Sequence, residues 1–219
     1  LDTYDLRELD AHGRQRRVEI FASEHLADAI ARLYARYAEL LPEGPERTRA
    51  AATARSVVEL PKNDGWPFAA DVELFDHRTT GVGRVHGAEA VVQSFRPLFD
   101  LTTSSVTCFD DVLGLRPDAL LVRWTHSGSD LSGGAFERHI CQLWVFGADG
   151  LVTRWEQFDA DREAEALARF DELTAPLAPA RRVPANAATA HAARMDAAVA
   201  ARDLDAFLAR LPSLVHPHR

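Results

Sequence analysis

The sequence predicts an α+β domain, a curved antiparallel sheet wrapped around helices into a cone, with partial copies of the same domain at both ends. Three observations predict it. Residues 9–33 (LDAHGRQRRVEIFASEHLADAIARL) recur at 146–170 (FGADGLVTRWEQFDADREAEALARF), offset throughout by 137, with nine identical positions that include Gly13/Gly150, Arg17/Arg154, Glu19/Glu156 and Phe21/Phe158. A period of that length is the size of a whole domain, not of a solenoid unit. After the first copy and through the second run helix, strand, helix, four consecutive strand-like stretches and a closing helix, the order of an α+β layer fold. A sheet wrapped in this way leaves one open end, where a pocket tends to lie.

Each element has its own local cause. Residues 4–9 and 14–21 read as two short strands turned at Ala11-His12-Gly13. Ser23 is the expected N-cap of a helix running to about Leu41, whose stripe is Leu26, Ile30, Leu33, Tyr37 and Leu40. Leu41 to Pro45 breaks the chain. A helix is expected from about Glu46 to Val58, a loop over 61–67 and a strand from Ala70 to His77. A glycine-punctuated turn over 79–87 leads into a short helix, Ala88 to Phe99. The meander follows at 102–114, 118–127, 135–147 and 150–158, with turns at Gly133-Gly134 and Ala148-Asp149-Gly150. A helix over 161–173, a Pro/Ala-rich linker over 174–185 and a helical tail from Asn186 to Leu211 complete the chain. The domains are therefore expected as 1–41, the last hairpin and closing helix of a preceding repeat; 45–175, the complete domain; and 176–219, a linker and the start of a following one. Ala51-Ala52-Thr53-Ala54 recurs as Ala187-Ala188-Thr189-Ala190, and His77-Arg78 as His218-Arg219.

Composition narrows the function. A hydrophobic share of 47% supports a sizeable core, and a net charge of −8 argues against nucleic acid as partner. The two cysteines, Cys108 and Cys141, fall in apolar strand-like runs and read as core thiols. With no bilayer-length apolar run and no signal-peptide pattern, a cytoplasmic setting without membrane contact is expected. The only methionine is Met195, so the sequence is expected to come from a longer polypeptide.

Candidate site residues follow from strand parity. Asp76 and His77 are neighbours that could act as an acid/base pair, but adjacent strand residues point to opposite faces. Asp76 shares the apolar face of Val72 and Leu74, and its simpler role is a salt bridge with Arg78. His126 ends the stripe Leu120, Val122, Trp124 and could sit at a pocket mouth. His139 lies on the Glu137, Cys141, Leu143 face of its strand, opposite Phe136, Arg138, Ile140, Gln142 and Trp144. Parity leaves open which face lines the cone, although the aromatic one suits packing against helices or a partner sheet. On the last strand Arg154 and Glu156 form a pair opposite Trp155 and Gln157. Trp124, His139, Arg154, Trp155 and His77 are the candidate ligand-binding residues. No metal site and no cofactor are expected: the histidines are scattered, and Gly81-Val82-Gly83 lacks the residues of a phosphate loop.

The element order, with FDHRTTGVGRVHG, VRWTHSG and GADGLVTRWEQFDAD, resembles the SnoaL-like branch of the nuclear-transport-factor-2-like superfamily over roughly residues 45–175. The Ala- and Arg-rich composition also looks like tandem domains at the C-terminal ends of large actinobacterial regulators. The resemblance implies a cone whose cyclase and isomerase members use a carboxylate with a nearby His or Tyr. It places His126 near the histidine, and Glu156 or Asp159 near the acid, with Asp76 a further candidate. Two classes of function result. One is a domain of a larger regulator that binds a small apolar or aromatic molecule, or assembles into a homodimer through a sheet face. The other is a cyclase, isomerase or lyase acting by general acid/base chemistry on a small apolar ketone. A carboxylate sharing one dry pocket with His126 would favour the second.

Overall fold

The computed structural model describes residues 3–62, 65–175 and 215–217. The chain forms two compact units, residues 1–29 with the segment from 176 onward, and residues 30–175. Beyond Ala175, the expected linker and the helix expected over 186–211 lie outside the described residues.

The first unit contains β1 (Thr3–Leu9) and β2 (Gln15–Ala22), an antiparallel hairpin around the left-handed Gly13. Val215–Pro217 (β9) joins β2 in parallel, with Val18 opposite Val215. Val18, Phe21 and the Glu19 side chain are buried, and Arg17 Nε stands 2.8 Å from Glu19. A 3-10 turn at Ser23–His25 precedes α1 (Leu26–Leu40), within which the boundary between the units falls. The expected Ser23 N-cap is not formed. Ala22 holds the extended capping position, and the Ser23 hydroxyl turns to Glu24.

In the second unit come α2 (Pro45–Glu59), β3 (Phe68–Asp76), β4 (Arg84–His86) and α3 (Ala88–Asp100). They are followed by β5 (Thr102–Arg116), β6 (Ala119–Asp130), β7 (Ala135–Phe146), β8 (Val152–Asp159), a 3-10 turn at Ala160–Arg162 and α4 (Glu163–Thr174). Proline opens α2, where its missing N–H is harmless. β4 was not expected. It is three residues long and lies inside the glycine-rich turn, below the length at which alternation is readable.

The six strands lie in the order β4-β3-β8-β7-β6-β5. The meander β5 to β8 is antiparallel as expected, while β3 pairs with β8 in parallel, so the sheet as a whole is mixed. α3 packs across the concave face and touches β3 and β4 at one edge and β5 at the other. In a flat sheet β3 and β5 would lie about 19 Å apart, four strand spacings of roughly 4.8 Å. α3, 13 residues and about 20 Å long, is long enough to span that width. Register shifts along β5 and β6 supply local bends. The observed fold is thus the open α+β cone that the element order predicts.

The outer, convex face is closed by α4, which packs on β5 to β8. Ala119, Leu121, Cys141, Leu143 and Phe158 meet Ala166 and Phe170 there. Cys141 is buried as expected, but Cys108 is exposed, because β5 is an edge strand and turns the thiol outward. From the second unit's part of α1, the buried Tyr34 hydroxyl donates between the carbonyls of Arg116 and Ala119, at 2.8 and 2.9 Å, fastening that helix to the β5–β6 turn.

The 137-residue offset reappears in the elements. β2 and β8 begin and end 137 residues apart, as do the two 3-10 turns, and α1 and α4 start 137 apart. The turn glycines match as well, Gly13 at φ 74° and Gly150 at φ 78°. A Cβ on Gly150 would stand 2.4 Å from the Thr53 nitrogen, so this turn admits α2 only because it lacks a side chain. Gly150→Ala is expected to cost about 1–3 kcal/mol from the left-handed backbone alone, with the contact adding to it. A lowered midpoint in urea unfolding checks this; an unchanged midpoint would contradict it.

Candidate functional site

The concave face carries the site. Period-two alternation sends Trp155 and Gln157 of β8, Ile140, Gln142 and Trp144 of β7, and Trp124 and His126 of β6 toward a cavity of about 60 Å³. Leu60, Trp66, Phe68, Arg78, Phe95, Leu98, Thr107 and Arg138 complete its wall. All four tryptophans of the chain line it. Phe95 of α3 stacks on Trp155 at 5.0 Å, Trp66 meets Trp155 edge-on at 5.4 Å, and Trp124 lies 5.6 Å from Trp144. The aromatic face of the sheet, expected to suit packing against helices or a partner sheet, is therefore the cavity face.

A short hydrogen-bond chain orders the polar groups in this wall. The Trp155 indole N–H donates to Gln142 Oε1 at 2.7 Å, and Gln157 Nε2 donates to the same oxygen at 3.5 Å. An indole nitrogen can only donate, so the Gln142 oxygen must face it, and the Gln157 nitrogen must face that oxygen. Gln157 Oε1 is left buried with no hydrogen-bond partner among the described residues, and so is His126 Nε2. Burial, then the nearby Arg138 charge, holds the His126 imidazolium below its ordinary pKa, so the ring is neutral near pH 7. His126 also packs edge-on against Phe136.

The candidate carboxylates stand elsewhere. Asp76 is on the inner side of β3 but does not line the cavity. Its oxygens accept from Arg78 Nε at 2.8 Å, Arg78 Nη2 at 2.7 Å, the Arg78 amide and the Val82 amide. Burial raises its pKa, but these donors and the arginine charge outweigh that and hold it below the ordinary value. Glu156 points to the convex side and is fully buried. It accepts from His77 Nε2 at 2.8 Å, Arg154 Nε at 2.5 Å and Arg169 Nε of α4 at 3.1 Å. Here too burial opposes ionisation, and the hydrogen bonds from Arg154 and His77 with the arginine charges prevail, so the pKa is lowered. Asp159 accepts from the Thr79 amide and hydroxyl.

Of the expected residues, the structure brings His126, Trp124 and Trp155 to the cavity. Glu156, Arg154 and His77 gather on the opposite face, where His77 stacks on Phe158 at 4.5 Å. His139 is exposed on that face and bonds Thr125 and Glu137. Asp159 and Asp76 hold the loop after β3. Sequence reasoning did not single out Gln142, Gln157, Arg138, Arg78, Trp66 or Phe95. A glutamine at the same parity as tryptophans on an apolar strand is the one signal that could have marked the first two. Among the described residues, no three His, Cys, Asp or Glu side chains gather as a metal would require, and no helix is long and apolar enough to cross a membrane.

The sequence matches no protein-family model and no curated protein. Solved structures similar to this chain are described as NTF2-like and SnoaL-like proteins. One, described as a SnoaL-like polyketide cyclase from Mesorhizobium loti, is 14% identical, with 49% of this chain and 96% of that chain covered and a TM-score of 0.39. Rv0760c from Mycobacterium tuberculosis, solved with estradiol-17β-hemisuccinate, is 17% identical, with 54% and 97% covered and a TM-score of 0.39. TerC, co-crystallised with polyporic acid, is 16% identical, with 57% and 99% covered and a TM-score of 0.40.

Two outcomes follow for Glu156. Glu156→Gln removes the charge that Arg154 and Arg169 share and to which His77 donates, and is expected to destabilise the protein by about 3 kcal/mol, the lower end for breaking a buried pair, since its partners reach solvent. Because the folded-state pKa is lowered, the carboxylate's contribution is complete above the unfolded value of about 4.3 and is lost as pH falls through the lowered value. Chemical denaturation of both proteins from pH 7 to pH 2 should show a gap that closes in acid. A gap that stays constant with pH would contradict the assignment.

Proposed function

We propose that residues 30–175 form a binding domain for a small aromatic or apolar molecule held in the concave cavity. One observation carries this reading: an aromatic chamber is lined by two buried polar atoms, His126 Nε2 and Gln157 Oε1, that have no partner among the described residues. A buried polar group without a partner costs about 1–3 kcal/mol, and a ligand that supplies the missing hydrogen bonds recovers it. Aromatic walls with a few placed polar groups are the usual composition of small-molecule sites.

The alternative, carboxylate acid/base catalysis on a small ketone, draws no support from the geometry. Asp76 and Glu156 are each surrounded by donors, Asp159 is engaged by Thr79 through Oδ2, and none of the three lines the cavity. The sheet-face homodimer draws none from the aromatic residues, which turn inward. That the chain is a window on a tandem array, as in a larger regulatory protein, is supported by the coincident bounds of β2 with β8 and of the two 3-10 turns. Coding sequence on either side that lacks further copies of the domain would count against the array.

The cavity reading is tested by titrating small aromatics while following tryptophan emission, since every tryptophan of the chain lines the site. Saturable quenching by phenol is expected in the millimolar range or tighter, about 4 kcal/mol or more of binding. It should be weakened at least tenfold by Trp155→Ala. Linear, unsaturated responses to all of them would refute the reading.

A further inference from the structure

The cavity wall is asymmetric in charge, and the asymmetry specifies a ligand. Two arginines line it. Arg78 is neutralised by Asp76 through two hydrogen bonds of 2.7 and 2.8 Å. Arg138 has no carboxylate partner among the described residues; its guanidinium lies over the Phe136 ring at 5.6 Å. Among the described residues no carboxylate lines the cavity, so Arg138 leaves the described wall with one uncompensated positive charge. Arg138 sits directly opposite the buried His126 in the β6–β7 register, which places the cation beside an imidazole nitrogen that has no partner.

The other end of the wall asks for something different. The order of donors from Trp155 through Gln142 leaves Gln157 presenting a carbonyl oxygen, an acceptor that only a donor can satisfy. Gln157 is opposite Gln142, four residues along β7 from Arg138. Four residues of strand span about 13 Å between Cα positions. Both side chains reach the cavity wall, which shortens that distance toward the span of one ring substituted at opposite ends. The enclosed volume of about 60 Å³ is less than half the roughly 150 Å³ of an engineered cavity that holds benzene, so a ring enters only with its carboxylate end at the mouth, beside the exposed Arg138, and with aromatic side chains of the wall displaced.

Resting on the small-molecule reading above, we propose that the cavity selects a hydroxylated aromatic carboxylate, its carboxylate at Arg138 and His126, its ring among the tryptophans and its hydroxyl donating to Gln157 Oε1. A guanidinium matches a planar carboxylate with two parallel hydrogen bonds, and a carboxylate conjugated to a ring stays in the plane that the aromatic walls define.

The probes are 4-hydroxybenzoate, benzoate, phenol and indole, titrated against the full chain by tryptophan fluorescence and calorimetry. 4-Hydroxybenzoate should bind at least tenfold tighter than phenol, which lacks the carboxylate, and than benzoate, which lacks the donor. Arg138→Met, at an exposed position, should abolish the advantage over phenol and leave phenol affinity within twofold. Gln157→Leu should abolish the advantage over benzoate, and its unchanged benzoate affinity reports an intact fold. The proposal is overturned if phenol and 4-hydroxybenzoate bind alike, or if Arg138→Met leaves their ratio unchanged. Should indole and phenol bind while both carboxylates do not, the carboxylate assignment fails and the cavity reading stands. Should none of the four bind, both fail.

Discussion

The Glu156 carboxylate is the group on which the arrangement of the second unit depends. β8 is the seam of the sheet, parallel to β3 on one side and antiparallel to β7 on the other. A parallel pair has no tight turn to set its register. Glu156 supplies a polar lock instead: His77, just past the end of β3, Arg154 on β8 and Arg169 on α4 all converge on its two oxygens. A slip of one residue would exchange the faces of β8. It would bring the carboxylate into the aromatic chamber and push Trp155 against α4. The charge is thus kept out of the cavity by the same register that places Trp155 and Gln157 inside it.

The two inner-edge arginines show how the cavity acquires a polarity: one is paired with a buried carboxylate and the other is not. Asp76 takes Arg78 and the amide of Val82, closing the loop between β3 and β4. Gly81 permits this, because a Cβ there would stand 2.4 Å from the Asp76 carboxylate carbon. Arg138 has no such counterion and rests on Phe136, where a cation is favoured by the ring face. One arginine is spent on structure; the other leaves its charge at the ligand. The histidine beside it is kept neutral by burial and by that charge, and so keeps a lone pair and a single N–H rather than two donors.

Much of this was legible in the sequence, and the missing part has a common cause. Helices and meander strands carried periodicities long enough to read, and their bounds moved by only a few residues. Parity correctly separated Asp76 from His77 and Trp155 from Glu156, since it is a local property of each strand. Parity cannot say which face is concave, because that depends on α3 reaching from β4 to β5. The aromatic face of β7 therefore looked suited to packing outward, against helices or a partner sheet. The same gap left Glu156 a catalytic candidate: a buried acid with an adjacent arginine has one appearance in sequence, whether it faces a chamber or a helix. The role of Gln157 was unreadable for a different reason, since its free oxygen is fixed only through Gln142 by an indole two strand positions away.

The repeated hairpin gives that polar lock a second instance. Arg17 and Glu19 on β2 form a pair at 2.8 Å with Glu19 almost fully buried, as Arg154 and Glu156 do on β8. β2 also receives a parallel strand. Val18 is opposite Val215, and its counterpart at an offset of 137, Trp155, is opposite Leu74. The matched partners, 74 and 215, differ by 141, which is also the separation of His77-Arg78 from His218-Arg219 in the sequence. An ion pair copied alone would be ordinary surface chemistry, worth about 0–1 kcal/mol and free to drift. A buried acid copied together with its arginine, its parallel neighbour and the register between them is a different matter. Each part needs the others, because the buried charge is tolerable only where the seam brings it partners. That joint recurrence is what supports the reading of the chain as more than one copy of a single design.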